Sequence, residues 1–254
     1  MKKLIVSVLT VASLMACKND GKNPDKEAEI KEKDNAESIT GNEKDEEWQY
    51  LFDGESAEGW RGYNEKNADA LPEGWIVEDG TLKSLGEGGD IGGDIVYGEE
   101  EFDNFELYLE WKISPEGNSG VFYHVIEDEA YDSPYFAAPE YQIIDQKGFP
   151  QELQAWQSIG ADYGMYDPEY DEDDLKEVGE WNTTRIRFTE DKVTYWLNGE
   201  KTVEFEPWSE EWKQKKKEGK WKDFPDYGKA KSGLIGLQDH GSYTWFRNIK
   251  IKKL

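Results

Sequence analysis

From Phe105 to Ile113 the chain alternates without a break: Phe105, Leu107, Leu109, Trp111 and Ile113 fall on one side, and Glu106, Tyr108, Glu110 and Lys112 on the other. This period-two pattern specifies a strand with one dry face and does not fit a helix, whose apolar residues recur every three or four positions. Two short sequences make the sheet antiparallel. Asp79-Gly80 joins 75–78 to 81–84, and Asn198-Gly199 joins 193–197 to 201–205; each pair supplies the two positive φ values of a type I′ hairpin turn. Further strands are expected at 120–126, 141–144, 184–188, 233–238 and 243–252. The last carries Trp245, Phe246, Ile249 and Ile251 and should close the domain against its N-terminal strands. The lysine-rich stretch 209–222, with Trp212 and Trp221, reads as a short helix lying on the surface. The expected fold is all-β, a two-sheet antiparallel sandwich.

The N-terminal region has a different character. Lys2 and Lys3, an apolar run over 4–14, and Ala16 before Cys17 form a secretory signal peptide pattern over residues 1–16. The run is shorter than the ~20 apolar residues of a membrane-spanning helix. Leu14-Met15-Ala16-Cys17 resembles a bacterial lipobox, so Cys17 is the expected lipidation site and the protein is expected to be exported and anchored in the cell envelope, at the periplasm or the outer-membrane surface. Cys17 is the single cysteine, which leaves the mature chain no thiol for a disulfide or a thiolate metal site. Residues 18–47 contain no aromatic residue and set six lysines against eleven acids; together with Cys17 they form an expected disordered acidic tether, with a reach on the order of 30 Å. All eleven tryptophans follow, which places the folded domain at 48–254. Most of the formal charge of −26 belongs to that domain. Such acidity excludes nucleic acid as a partner and limits contact with an anionic membrane to the lipid anchor.

Within the domain, connections at 128–139 and 147–180 exceed ordinary hairpin lengths, and loops of that size usually carry function. Pro139-Glu140-Tyr141-Gln142-Ile143-Ile144-Asp145 presents Glu140 and Gln142 side by side on one strand face, with Tyr141 and Ile143 on the other; a solvated outer face gives the same pattern. Asp145, at the strand end, either joins that cleft or serves as a turn residue. Only two histidines occur, His124 within a largely apolar strand and His240 in the turn Gln238-Asp239-His240-Gly241. Two histidines fall short of a zinc site, while carboxylates leave a hard divalent cation open. Trp60, Trp156, Trp181 and Trp208 lie near turns, where an indole serves either the core or a sugar-stacking platform.

Seven ordered motifs then fall into one pattern: Leu51-Phe52-Asp53-Gly54 with Gly59-Trp60-Arg61-Gly62-Tyr63; Phe105-Glu106-Leu107 with Glu110-Trp111-Lys112; Gly117-Asn118-Ser119-Gly120-Val121; Pro139-Glu140-Tyr141-Gln142; Gly179-Glu180-Trp181-Asn182; Trp196-Leu197-Asn198-Gly199; and Gly236-Leu237-Gln238-Asp239-His240-Gly241 with Trp245-Phe246-Arg247-Asn248-Ile249. The chain resembles the 3-keto-disaccharide hydrolase domain family over 48–254. The resemblance implies a concanavalin A-like jelly roll with a sugar site in the concave face, and activity on glycosides oxidised at C3. A ketone there acidifies the C2 hydrogen, so proton abstraction, β-elimination at C1 and hydration replace the paired-carboxylate route of ordinary glycosidases. On that basis Glu140 and His240 are the expected catalytic pair, in either order of base and acid. Gln142, His124 or a bound divalent cation would polarise the C3 carbonyl. Arg61, Glu110, Asn118, Gln238 and Arg247 would hold hydroxyls, with Trp60 or Trp156 stacking on a ring. His124 is a departure, since many members have arginine there. The competing classes are a non-catalytic carbohydrate-binding module, a laminarinase-like glycosidase and a structural surface lipoprotein. Glu140-Tyr141-Gln142 counts against the glycosidase by placing an amide where a second carboxylate belongs.

Overall fold

The computed structural model describes residues 47–87 and 93–254. The signal peptide, Cys17 and nearly all of the tether lie outside the described residues. Among the described residues thirteen strands run in the order β1 (Gln49–Phe52), β2 (Trp60–Gly62), β3 (Trp75–Glu78), β4 (Thr81–Leu85), β5 (Ile95–Phe102), β6 (Phe105–Ile113), β7 (Asn118–Val125), β8 (Glu140–Ile144), β9 (Asn182–Phe188), β10 (Val193–Leu197), β11 (Glu200–Phe205), β12 (Gly233–Leu237) and β13 (Tyr243–Lys253). They form two antiparallel sheets of a jelly-roll sandwich. The larger has eight strands in the order β11-β10-β9-β6-β13-β4-β3, with β1 paired to β13; the smaller has the order β2-β5-β12-β7-β8. No helix among the described residues is long and apolar enough to cross a membrane.

The expected patterning is realised where turn chemistry and alternation agree. Asp79 and Gly80 adopt φ of 49° and 73°, and Asn198 and Gly199 53° and 95°, joining β3 to β4 and β10 to β11 as two-residue turns. Phe105, Leu107, Leu109, Trp111 and Ile113 are all buried in the shared core. They face Val121, Tyr123, Tyr141, Ile143, Ile235 and Leu237 of the smaller sheet, across the gap between two packed sheets. β13 pairs with β1, β4 and β6, tying the C-terminus to the N-terminal strands.

A second, smaller cluster lies on the outer face of the five-stranded sheet, where Val96, Phe122, Val125 and Leu234 pack with Ala138 and Tyr135. That face is therefore covered rather than solvated. Residues 128–139 supply part of the cover. The segment 209–223 forms α1 (Glu210–Glu218), capped by Ser209, whose hydroxyl accepts the Trp212 N–H, and then a short 3-10 turn at Lys220–Asp223. This segment does not simply lie on the surface as expected: Trp212 and Trp221 are buried, and the Trp221 ring stacks on Tyr227 at 4.2 Å.

Trp60 also departs from expectation. It is 1 % exposed, its Nε1–H donates to the Leu51 carbonyl at 2.7 Å, and its edge meets Tyr97, so it is core and not a sugar platform. Trp60→Phe should therefore cost ~1–2 kcal/mol of stability through the lost buried hydrogen bond, read from a denaturant midpoint, with sugar affinity unchanged.

Candidate functional site

On the smaller sheet β7 and β8 are paired with Gly120 opposite Gln142 and Phe122 opposite Glu140. Gly120 leaves the space that the Glu140 side chain occupies: a Cβ at position 120 would collide with the Glu140 carboxyl. The free edge of β8 is closed by residues 160–163. Gln142 N–H donates to Ala161 O at 3.1 Å, Gly160 N–H to Gln142 O at 2.9 Å, and Tyr163 N–H to Glu140 O at 3.0 Å. This pairing sets Tyr163 beside Glu140 and takes the strand edge out of water.

The result is a cavity of about 260 Å³ lined by Asn118, Glu140, Gln142, Gln238 and His240 on one hand and Tyr135, Tyr163, Trp221 and Phe224 on the other, with Lys220 among them. That volume lies below the ~300–1,000 Å³ of drug-sized pockets and suits roughly one sugar ring. The floor is polar and the wall aromatic, and the wall is fixed by its own contacts. Trp221 Nε1–H donates to Tyr163 O at 2.9 Å, and the Trp221 ring meets Phe224 edge-on at 5.2 Å. Lys220 Nζ lies 3.3 Å from the Tyr163 hydroxyl and 4.6 Å from its ring centre. The cation–π contact holds the ammonium at the cavity.

The floor has two acceptors in need of donors. Asn118 Oδ1 and Gln238 Oε1 are buried and without a hydrogen-bond partner. A ligand hydroxyl at each would satisfy them, because an unmet buried carbonyl costs ~1–3 kcal/mol. Gln142 Nε2 donates to Gln157 O at 3.2 Å, which orients its amide. Glu140 is 3 % exposed, and burial, reinforced by the charge of Asp94, pushes its carboxyl well above the ordinary range, with Lys220 opposing. It is consequently neutral where a surface glutamate is ionised.

Five expected site residues thus share one cavity: Glu140, Gln142, Asn118, Gln238 and His240. Trp156 stands beside it, half-buried, edge-on to Tyr163 at 5.3 Å and 5.8 Å from Lys220 Nζ. The remaining five lie elsewhere. Trp60 is in the core. Arg61, on the opposite edge strand of the smaller sheet, is held by Glu127 through Nη1 and Nη2 at 2.5 and 2.8 Å. Glu110 and Arg247 belong to the larger sheet and bond each other at 2.7 Å, with Arg247 stacked 3.9 Å from Trp181. His124 is turned away by a bulge: the three residues Leu234 to Gly236 of β12 lie opposite the four residues Val125 to Phe122 of β7, and His124 takes φ of 53°. Its ring enters the core 4.3 Å from Phe188, its Nε2–H donates to Asp103 O at 2.9 Å, and burial pushes its pKa down to about 4. Asp145 is a turn residue, accepting the Glu116 and Gly148 N–H groups at 2.9 Å each. Among the described residues no group of three or more His, Cys, Asp and Glu is arranged to hold a metal ion.

A model of the 3-keto-alpha-glucoside-1,2-lyase-like domain matches residues 47–252. The chain belongs to that family. A 3-keto-disaccharide hydrolase of Bacteroides thetaiotaomicron is 34 % identical over 229 residues, spanning 80 % of this chain and 77 % of that one. Two crystal structures from Parabacteroides distasonis, each of a candidate glycosyl hydrolase, are also similar. One is 39 % identical with a TM-score of 0.74, covering 82 % of this chain and 94 % of its own; the other is 28 % identical with a TM-score of 0.59, covering 82 % and 99 %.

Sequence reasoning missed several residues of this 3-keto-alpha-glucoside-1,2-lyase-like domain. Tyr163, Lys220, Trp221 and Phe224 come from irregular segments distant in sequence from Glu140, and Asp94 and Asp162 had no motif to single them out. Burial pushes Asp94 up to about 7 and Asp162 well above the ordinary range, the latter beside the hydrogen-bonded hydroxyls of Tyr123 and Tyr195. Aromatic residues in a long loop are the one sequence signal that pointed toward the wall.

These raised carboxyls fix a pH dependence. Between about pH 4 and about pH 7 the folded protein keeps the Asp94 proton that the unfolded chain has lost, so stability falls as pH rises through that window. The slope from one such group approaches ~1.4 kcal/mol per pH unit. Glu140 and Asp162 act in the same direction. The thermal midpoint should be higher near pH 5 than near pH 8, and Asp94→Asn should flatten the decline.

Proposed function

We propose that this protein cleaves 3-keto-glycosides by elimination and hydration, with His240 as the base and Glu140 as the acid. The observation that carries the assignment is a carboxyl kept neutral by burial on the floor of a cavity the size of a sugar ring, with an imidazole lining the same space. The names of the related proteins supply the substrate class. His240 takes the C2 proton, the electron pair forms the C1–C2 double bond, and the C1–O bond breaks as Glu140 protonates the departing oxygen. Water then adds across the double bond, hydroxyl to C1 and proton to C2, giving a free 3-keto sugar. Negative charge builds on the C3 oxygen during the first step, and the Gln142 amide and the Lys220 ammonium are the donors assigned to it. Asn118 and Gln238 take hydroxyls of the oxidised ring. A binding-only module has no use for a carboxyl kept neutral at this cost.

Wild-type protein should release sugar from 3-keto-trehalose and leave unoxidised trehalose intact. Glu140→Gln and His240→Ala should each lower kcat by ~10²–10⁴. Activity on 3-keto-trehalose should fall at alkaline pH as Glu140 loses its proton. Full activity in both variants, or cleavage of both sugars or of neither, overturns the reading.

The anchor follows as part of the same proposal: acylated Cys17 holds the enzyme at the cell envelope, where oxidised glycosides are met outside the cytoplasm. Cys17→Ser should abolish incorporation of labelled fatty acid and move the protein from the membrane fraction to the soluble one.

A further inference from the structure

Asp94 lies just before β5 and is 4 % exposed, yet it does not line the cavity. Its carboxyl joins two segments that do. Oδ2 accepts the Ser133 hydroxyl at 2.7 Å, at the start of the 3-10 turn Pro134–Phe136 that carries Tyr135. Oδ1 accepts the Asp239 N–H at 3.0 Å, between Gln238 and His240. The Asp239 carboxyl in turn accepts the Gly241 N–H at 3.0 Å, closing the turn on the far side of His240. The Asp94 carbonyl accepts the Tyr63 N–H at 2.9 Å, which ties this junction to the chain leaving β2.

We propose that Asp94 is the positioning residue of this cavity: without touching a ligand, it fixes the turn that carries His240 against the loop that carries Tyr135. The proposal rests on the reading of His240 and Glu140 as base and acid. A base held on a loop reaches a C2 proton only if the loop has one position, and a displacement of about 1 Å costs on the order of 10²-fold in rate. Asp94 also acts through charge. The titratable groups around it are Asp239, Glu140 and Tyr135 toward the cavity, and Asp132, Glu65 and Tyr63 around a 110 Å³ hollow on its other side. Above about pH 7, where Asp94 has lost its proton, its anion makes ionisation of Glu140 less favourable, and so helps keep that acid protonated.

The chain has two histidines, which makes the test direct. In the full-length protein, imidazole nitrogen resonances report His240, and His124, in the core, serves as the internal control. Asp94→Ala should shift or broaden the His240 resonances, leave those of His124 in place, and lower kcat on 3-keto-trehalose by tenfold or more with KM changed less than threefold. Asp94→Asn keeps the acceptor for the Asp239 N–H and should leave His240 in place. It should also move the titration of Glu140, followed by carboxyl carbon resonance and assigned with Glu140→Gln, to lower pH. The alkaline limb of the rate profile should move with it. Wild-type resonances for His240 in Asp94→Ala, together with an unmoved Glu140 titration in Asp94→Asn, overturn the proposal. If Asp94→Ala unfolds, His124 reveals it and the Glu140 titration in Asp94→Asn decides. If the wild type turns over no 3-keto sugar, the functional reading fails while both resonance measurements still decide the role of Asp94.

Discussion

Glu140 sits out of water on the outer face of a sheet, and the rest of the site is organised around that fact. An outer strand face of an antiparallel sandwich is ordinarily solvated. Here residues 128–139, the closing segment 160–163 and the turn after α1 cover it, and they bring Tyr135, Tyr163 and Trp221 into one wall. Taking a carboxyl out of water without an ion-pair contact is expensive, and the group meets the expense by keeping its proton. The cover and the protonation state are thus a single constraint. Gly120 belongs to it as well, because the side chain needs the space a Cβ would fill.

Much of the frame was legible because its signals are local. Asp-Gly and Asn-Gly dictate their turns through φ alone, and the alternation of β6 dictates its buried face through the pleat. Glu140 and Gln142 were legible for the same reason, since a two-residue spacing in a strand places two side chains together. The errors share a cause too. Alternation would carry His124 to the cleft face with Gly120 and Phe122, but one extra residue in β7 reverses it, and a bulge leaves no mark that periodicity detects. Arg61, Glu110 and Arg247 looked like ligand contacts because they are polar members of family motifs; their partners, Glu127 and each other, are fixed only by strand order in three dimensions.

The acids show the limit most clearly. Aspartate and glutamate together number 56, and nothing in the local sequence distinguishes Asp94 or Asp162 from the solvated majority. What sets them apart is desolvation, a property of the folded surroundings. Lys220 and Trp221 are comparable: a lysine-rich run suggested an exposed helix, and its end is turned inward by contacts distant in sequence or invisible to periodicity, the stacking of Trp221 on Tyr227 and its hydrogen bond to Tyr163 O.

The closing of β8 by residues 160–163 has a consequence for the protein as a colloid. An uncovered edge strand is a template for another chain, and the usual defences are charge, proline or a covering loop. Here the covering loop is the one that supplies a wall of the cavity, so cavity architecture and resistance to edge-to-edge association are written in the same few residues. A change in that loop made to widen the cavity would also expose Tyr141-Gln142-Ile143-Ile144, an uncharged β-prone run, as a free edge. Cavity size and solubility are therefore not independent variables in this protein.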